Sequence, residues 1–388
     1  MHDPIVFSFF LIFTGAAVLG TVALYARQSL LLAYIAVGVL FGPSVLGLIP
    51  NLELIEQISH IGITFLLFLL GLDLQPRELI HLLRKTTMIT LASATVFALI
   101  GFTAGLLAGF NTQEALLIGA AAMFSSTIIG IKLLPTTVLH HQHAGEIMTS
   151  VLLLQDLIAI LVLLLLQGHQ GGEGVLLDIA LLGLFLILLV IAAFLVEAWL
   201  LNRLLARFDR IREYIFLLTI GWCLGLAELS AWLGLSTEIG AFIAGISLAA
   251  SPISQYIADS LRPLRDFFLV VFFFSLGGAL ELNMLASVVL PAALFALALL
   301  AVKPWVFRWL LTTAGETPHL SLEMGVRLGQ ISEFSLLIAV LAAATGFIGE
   351  RASYFIQAAT ILTFVVSSWY IVRTYPTPIA VSDALRRD

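Results

Sequence analysis

Residues 147–167 run Ile-Met-Thr-Ser-Val-Leu-Leu-Leu-Gln-Asp-Leu-Ile-Ala-Ile-Leu-Val-Leu-Leu-Leu-Leu-Gln, and Gln155 and Asp156 sit at the middle of that apolar run. At about 1.5 Å of rise per residue the run is long enough to cross a bilayer. A carboxylate at the bilayer centre costs roughly 2.5–3.5 kcal/mol even on the lenient insertion scale, so its presence needs a cause. Two readings are open. Asp156 is a structural acid paired to a neighbouring helix, or it is an ion and proton site. The run holds no other charge, which favours the second.

Other polar residues in apolar surroundings supply what such a site would need. Phe124-Ser125-Ser126-Thr127-Ile128-Ile129-Gly130 and Gly329-Gln330-Ile331-Ser332-Glu333-Phe334 are polar clusters, each near the middle of an apolar span, and Ser126 and Ser332 are 206 residues apart. Serine and threonine there can bond to their own i−4 carbonyls or join helices. Alternatively the helices break, and half-helix ends face an ion. Two clusters at matched positions favour broken helices over residues 125–127 and 329–333. Lys303, next to Pro304, lies deep in a further span, either snorkelling or paired. Arg327 is expected to pair with Glu323 at i,i+4 on its own helix.

Composition sets the frame for these residues. The chain has 388 residues, 61% hydrophobic and 11% charged, with a mean hydropathy of +1.10. That excludes a soluble domain and points to an all-α polytopic membrane protein. The alternating ten-residue segments of a β-barrel are absent from the pattern. Thirteen apolar spans can be drawn, over 5–24, 29–48, 54–73, 86–109, 114–134, 145–167, 175–199, 213–232, 236–250, 265–281, 284–311, 321–345 and 354–373. With the N-terminus outside, all but three of the 18 Lys and Arg residues fall on cytoplasmic segments; the exceptions are Lys303, Arg327 and Arg351. This positive-inside pattern predicts an external N-terminus, a cytoplasmic C-terminus and an odd number of spans.

The chain also repeats. Phe68-Leu69-Leu70-Gly71-Leu72 matches Phe274-Ser275-Leu276-Gly277-Gly278, and Gly38-Val39-Leu40-Phe41-Gly42 matches Gly240-Ala241-Phe242-Ile243-Ala244-Gly245. Seven spans separate the members of each pair, so the halves are inverted, about 1–167 against 213–373, with 175–199 as a linking helix. Inverted repeats characterise secondary transporters, whose sites lie where the repeats meet. Residues 1–373 thus read as one transmembrane exchanger domain, and 374–388 as a short cytoplasmic tail.

Other features carry less. His140, His141 and His143, with His2, read as a solvated loop rather than a metal tract. Glu197 and Glu228, near helix ends, read as interfacial. The single cysteine, Cys223, excludes a disulfide framework. No catalytic triad, zinc spacing or phosphate-binding glycine motif appears, so neither an enzyme nor a nucleic-acid partner is expected.

Gln155-Asp156 in an apolar helix resembles the signature of the monovalent cation:proton antiporter-2 family, in its Kef-type potassium/proton branch. Ser125-Ser126-Thr127, Gly329-Gln330-x-x-Glu333-Phe334, Leu66-x-x-Leu69-x-Gly71-Leu72-Asp73 and Thr237-x-x-Gly240-Ala241-Phe242-x-Ala244-Gly245 are similar to further motifs of that family. The resemblance covers residues 5–373. It implies thirteen helices, two crossed broken helices in a core domain, and a dimerisation domain that makes a homodimer. It also implies a bacterial inner membrane, with lipids as partners, and a cytoplasmic nucleotide-binding regulatory domain or subunit absent from this chain. By the same resemblance Asp156 binds both K⁺ and the proton, Ser126 and Thr127 stand at the first break, and Gln330 and Glu333 at the second. Lys303 matches a lysine that pairs, in sodium-exchanging relatives, with an acid at the Gln155 position. Here a hydrogen bond from Lys303 to Gln155 Oε1 is expected instead.

The function expected is antiport of K⁺ against H⁺ without any cofactor, Na⁺ being the alternative cation. One carboxylate serves both ions: deprotonated it binds a dehydrated cation, protonated it releases it. Rival classes are a gated cation channel, which would lack proton coupling, and an ion-sensing receptor, against which the lack of an output domain counts.

Overall fold

A computed structural model describes residues 4–26, 28–49, 52–73, 76–133, 143–168, 175–208 and 210–377. His2, His140, His141 and the tail beyond Thr377 therefore lie outside the described residues, as does the His143 side chain. Among the described residues the fold is all helix, with no strand. In chain order the helices are α1 Pro4–Tyr25, α2 Leu30–Phe41, α3 Leu52–Asp73, α4 Pro76–Leu107, α5 Thr112–Ala122, α6 Thr127–Lys132 and α7 His143–Gly168. They continue as α8 Val175–Val196, α9 Asn202–Arg207, α10 Arg212–Trp232, α11 Thr237–Ala249, α12 Ser254–Gly278 and α13 Leu282–Thr313. The last three are α14 Pro318–Arg327, α15 Glu333–Ala344 and α16 Glu350–Thr374. Seven described helices are long and apolar enough to cross a membrane, and α2, α11, α15 and Ile147–Leu163 of α7 are shorter apolar helices.

Helix boundaries differ from expectation where local chemistry overrides hydropathy. α2 stops at Phe41, ahead of Gly42-Pro43, because a residue before proline is pushed out of the helical region. α4 starts ten residues early, at Pro76, a residue suited to the first helical turn. α8 passes through a π-helical turn, Glu197–Leu201, and runs on as α9. Glu197, in that turn, is 4% exposed, and Asn202 Nδ2 donates to its Oε1 at 2.6 Å.

The chain forms two compact units, and each draws on both halves of the sequence. The first comprises Met1–Phe13, Val37–Ile80 and Leu163–Ala279. It is built on two close crossings. A Cβ on Gly71 or Gly245 would collide with the backbone of the opposing helix, at Phe242 O and Phe68 O respectively, so α3 and α11 meet main chain to main chain. Gly38 of α2 sits the same way on Phe274 O of α12. Small residues that let backbones approach are how helices associate where lipid offers no hydrophobic drive. The four segments involved are the ones that repeat in sequence.

The second unit comprises Thr14–Ala36, His81–Val162 and Leu280–Asp388. Its apolar core packs Phe97 of α4 and Met148, Val151 and Leu152 of α7 against Phe307 of α13 and Leu328. Gly325 of α14 lies against Pro304, where a Cβ would stand 2.6 Å from its carbonyl oxygen, and this close approach seats the neighbouring Lys303 beside the end of α14.

Candidate ion-binding site

Both polar clusters interrupt their helices. Residues 123–126 separate α5 from α6, and residues 328–332 separate α14 from α15. The serines cause this rather than back-bonding along a continuous helix. Ser126 Oγ accepts from Ile129 N–H at 3.1 Å and Ser332 Oγ from Phe334 N–H at 3.1 Å. Each thereby starts the second half-helix as an N-cap residue does. The pair 206 residues apart in sequence performs one job twice.

The breaks touch each other within the second unit. Ser125 Oγ donates to Leu328 O at 2.8 Å, and Gln330 Nε2 donates to Arg327 O at 2.9 Å and Ser126 O at 3.4 Å. Ser335 Oγ donates to Ala121 O at 2.7 Å. Unwound backbone exposes carbonyls that no helix satisfies, and polar groups left unpaired at this depth cost several kcal/mol each by order of magnitude. Here side chains from the partner break satisfy them.

α7 lies against the first break. Asp156, 0% exposed, accepts from Thr127 Oγ1 at 3.1 Å through Oδ2 and at 3.5 Å through Oδ1. Gln155, also 0% exposed, accepts the Ser125 N–H on Oε1 at 2.9 Å. Its Nε2 has no hydrogen-bond partner among the described residues. Glu333 opens α15, where a carboxylate suits the helix N-terminus.

Lys303 corrects its expected pairing. Its ammonium does not reach Gln155, whose Oε1 is taken by Ser125. It donates instead to Phe124 O at 2.8 Å and Gln330 O at 3.1 Å, 5.0 Å from the Phe97 ring centroid. Phe124 follows the C-terminal end of α5, and Gln330 that of α14. Both ends carry partial negative charge, and one buried cation answers both. A chain with glutamine at position 155 thus still has a partner for the lysine, in backbone rather than side chain.

Arg327 behaves as expected toward Glu323, at 2.9 Å, and does more. It also donates to Leu133 O, just past α6, and to Pro376 O, both at 2.9 Å. Sequence reasoning missed two α16 hydroxyls at the second break. Thr363 Oγ1 accepts from Ile331 N–H at 3.1 Å, and Ser367 Oγ donates to Gln330 Oε1 at 3.0 Å. Their signal was spacing: Thr360, Thr363 and Ser367, three and four apart, lie on one helix face.

The assembled groups are oxygen donors around one buried carboxylate, suited to a hard cation or a proton. Thr127→Ala removes the hydroxyl on Asp156 without leaving an unpaired donor behind. The expected outcome is a roughly tenfold weaker apparent cation affinity, an effect larger than that on thermal stability, since a hydrogen bond to a charged group contributes about 1.5–3 kcal/mol. Cation titration of transport beside thermal unfolding checks it, and an unchanged affinity would remove Thr127 from the site.

A family model described as sodium/hydrogen exchanger, transmembrane, matches residues 9–374. The chain is 28% identical to the iron transporter MagA of Paramagnetospirillum magneticum over 392 residues, 96% of this chain and 86% of that protein. Its fold is similar to the sodium proton antiporter MjNhaP1 of Methanocaldococcus jannaschii. The structure of that protein at pH 8 matches with a TM-score of 0.67 at 18% identity, covering 94% of this chain and 97% of the other. An electron-microscopy structure of it matches at 0.70, also at 18% identity and covering 96% of each.

Proposed function

The chain belongs to the sodium/hydrogen exchanger transmembrane family, and we propose that it exchanges a monovalent cation for a proton across a membrane at Asp156. The observation that carries this is a fully buried carboxylate held by Thr127 at the meeting of two broken helices. Deprotonated, Asp156 offers one negative charge to a dehydrated cation beside the Thr127 hydroxyl. Protonated, it has nothing to hold the cation with. The two ligands exclude each other, and an alternating site that moves loaded with either one is an antiporter. Lys303 stays bound to carbonyls in this scheme, and Gln155 is neutral, so each cycle moves one charge each way and no net current.

K⁺ is the cation we assign, supported by Gln155 preceding Asp156 and by the Kef-type motifs around both breaks. Na⁺ is the second reading, favoured by the family's description and by the sodium proton antiporter named among its structural neighbours. The relative named as an iron transporter raises iron as cargo. No three His, Cys, Asp or Glu that could hold a metal ion cluster among the described residues, and a carboxylate with the Thr127 hydroxyl suits a hard monovalent ion better. The same reading takes thirteen membrane crossings with the N-terminus outside, in a bacterial inner membrane. The matched close crossings of α3 on α11 and α2 on α12 support its inverted repeats. It takes the first unit as the one through which two copies dimerise.

Proteoliposomes loaded with a proton-sensitive dye test the proposal, titrated in turn with K⁺, Na⁺, Li⁺ and Fe²⁺. Proton flux is expected to follow K⁺ at lower concentration than Na⁺, and not Fe²⁺, with no transport current on a supported membrane. Cation movement without proton movement would make the protein a channel. A sustained current scaling with potential would discard the one-for-one exchange.

A further inference from the structure

The second break is gripped from outside the polar clusters by α16. Of the seven long apolar helices α16 is the most enclosed, with 67% of its apolar window buried against 17–56% for the others. The face carrying Thr360, Thr363 and Ser367 is turned inward, at 0%, 0% and 4% exposure. We propose that Thr363 and Ser367 are positioning residues that set the cation affinity of the Asp156 site through the second break. This rests on the reading of Asp156 given above.

The polarity of the Thr363 hydroxyl is fixed by its other partner. Thr363 spends its proton on Thr360 O at 2.8 Å, which leaves its oxygen as acceptor for the Ile331 N–H. Ile331 lies in the unwound stretch, 1% exposed, and its N–H has no helical carbonyl to reach. A buried backbone donor of that kind must be paired by something other than its own helix. Ser367 donates to Gln330 Oε1, and this decides which end of the amide faces which way. With Oε1 held, Nε2 points at Arg327 O and Ser126 O. Release Ser367, and Oε1 is left buried without its donor, so the amide is held at one end only. Turned over, its oxygen would meet two carbonyls and repel them.

A chain of contacts therefore leads from α16 to the carboxylate. Ser367 holds Gln330, Gln330 holds the Ser126 carbonyl, and Ser126 caps the half-helix that begins with Thr127, the residue on Asp156. Loosening the far end shifts Thr127 relative to Asp156 and changes how well a cation is bound before it changes whether the protein folds.

The test is proton flux in proteoliposomes, read as apparent KM and turnover for K⁺ and for Na⁺ in Ser367→Ala, Thr363→Val and Thr363→Ser. Loss of one buried hydrogen bond predicts an apparent KM raised about tenfold for Ser367→Ala and Thr363→Val, with turnover per folded protein less affected. Thr363→Ser keeps the oxygen and stays near wild type. A merely structural role would lower thermal stability and the active fraction and leave KM where it is, and that result overturns the proposal. So does a wild-type KM in both Ser367→Ala and Thr363→Val. If Thr363→Val fails to fold, Ser367→Ala decides alone, since it removes a single oxygen. An Asp156→Asn protein that still exchanges would sink the site itself. An inactive Asp156→Asn beside a wild-type KM in the α16 variants would sink only the positioning role.

Discussion

Asp156→Asn is expected to reduce cation-dependent proton flux to the level of empty liposomes while leaving the fold as stable as wild type or more so. The amide has the shape of the carboxylate and still accepts from Thr127 Oγ1 on its oxygen. It carries neither a titratable proton nor a charge, so it can take neither ligand of the exchange. Stability should not suffer, because the native side chain is fully buried and is answered by one neutral hydroxyl. Removing a charge in that setting relieves a desolvation cost rather than breaking an ion pair. Thermal unfolding and the dye assay on one preparation separate the two effects. Flux surviving in a folded Asp156→Asn protein would move the site elsewhere.

The features that were legible in the sequence are those where a polar side chain had no business in an apolar run. Asp156, Gln155, the Ser125–Thr127 cluster and Gln330–Glu333 stand out because hydrocarbon tolerates them only for a reason, and hydrogen bonds join Ser125 to Gln155, Thr127 to Asp156 and Gln330 to Ser126. Arg327 and Glu323 were legible because an i,i+4 pair needs only helical geometry. What stayed hidden involves backbone. The partners of Lys303 are two carbonyls that exist as acceptors only because two helices stop, and a carbonyl has no letter in a sequence. The best side-chain candidate, Gln155, was the natural guess and the wrong one. The bond between Glu197 and Asn202 was hidden for a related reason. A spacing of five residues to Asn202 does not make a neighbour at 3.6 residues per turn, but it does across a π-helical turn. The compact units were illegible as well, since each is assembled from segments of both halves while sequence repeats divide the chain in the middle.

Lys303→Met should destabilise the protein more than Asp156→Asn, Thr127→Ala or Ser367→Ala does. Methionine fills a similar volume and keeps the apolar contact with Phe97, so the change isolates the ammonium. Without it, Phe124 O and Gln330 O are left buried with no donor, at the ends of two half-helices whose dipoles both point negative charge at the same spot. Hydrogen bonds from a charged donor contribute about 1.5–3 kcal/mol each, which puts the combined loss at roughly 3–6 kcal/mol and makes a folded fraction hard to recover in detergent. Lys303→Arg, which keeps the charge on a wider head, should fall between the two. Arg308→Gln, half-buried and stacked on Trp305, should change little and serves as control. Because Lys303 touches carbonyls and no carboxylate among its described contacts, whatever Lys303→Met protein does fold should still couple cation to proton. Thermal unfolding with flux per folded molecule decides the matter. A Lys303→Met protein of wild-type stability that has lost exchange would mean the lysine works in the transport cycle, and that its hold on the two helix ends is incidental.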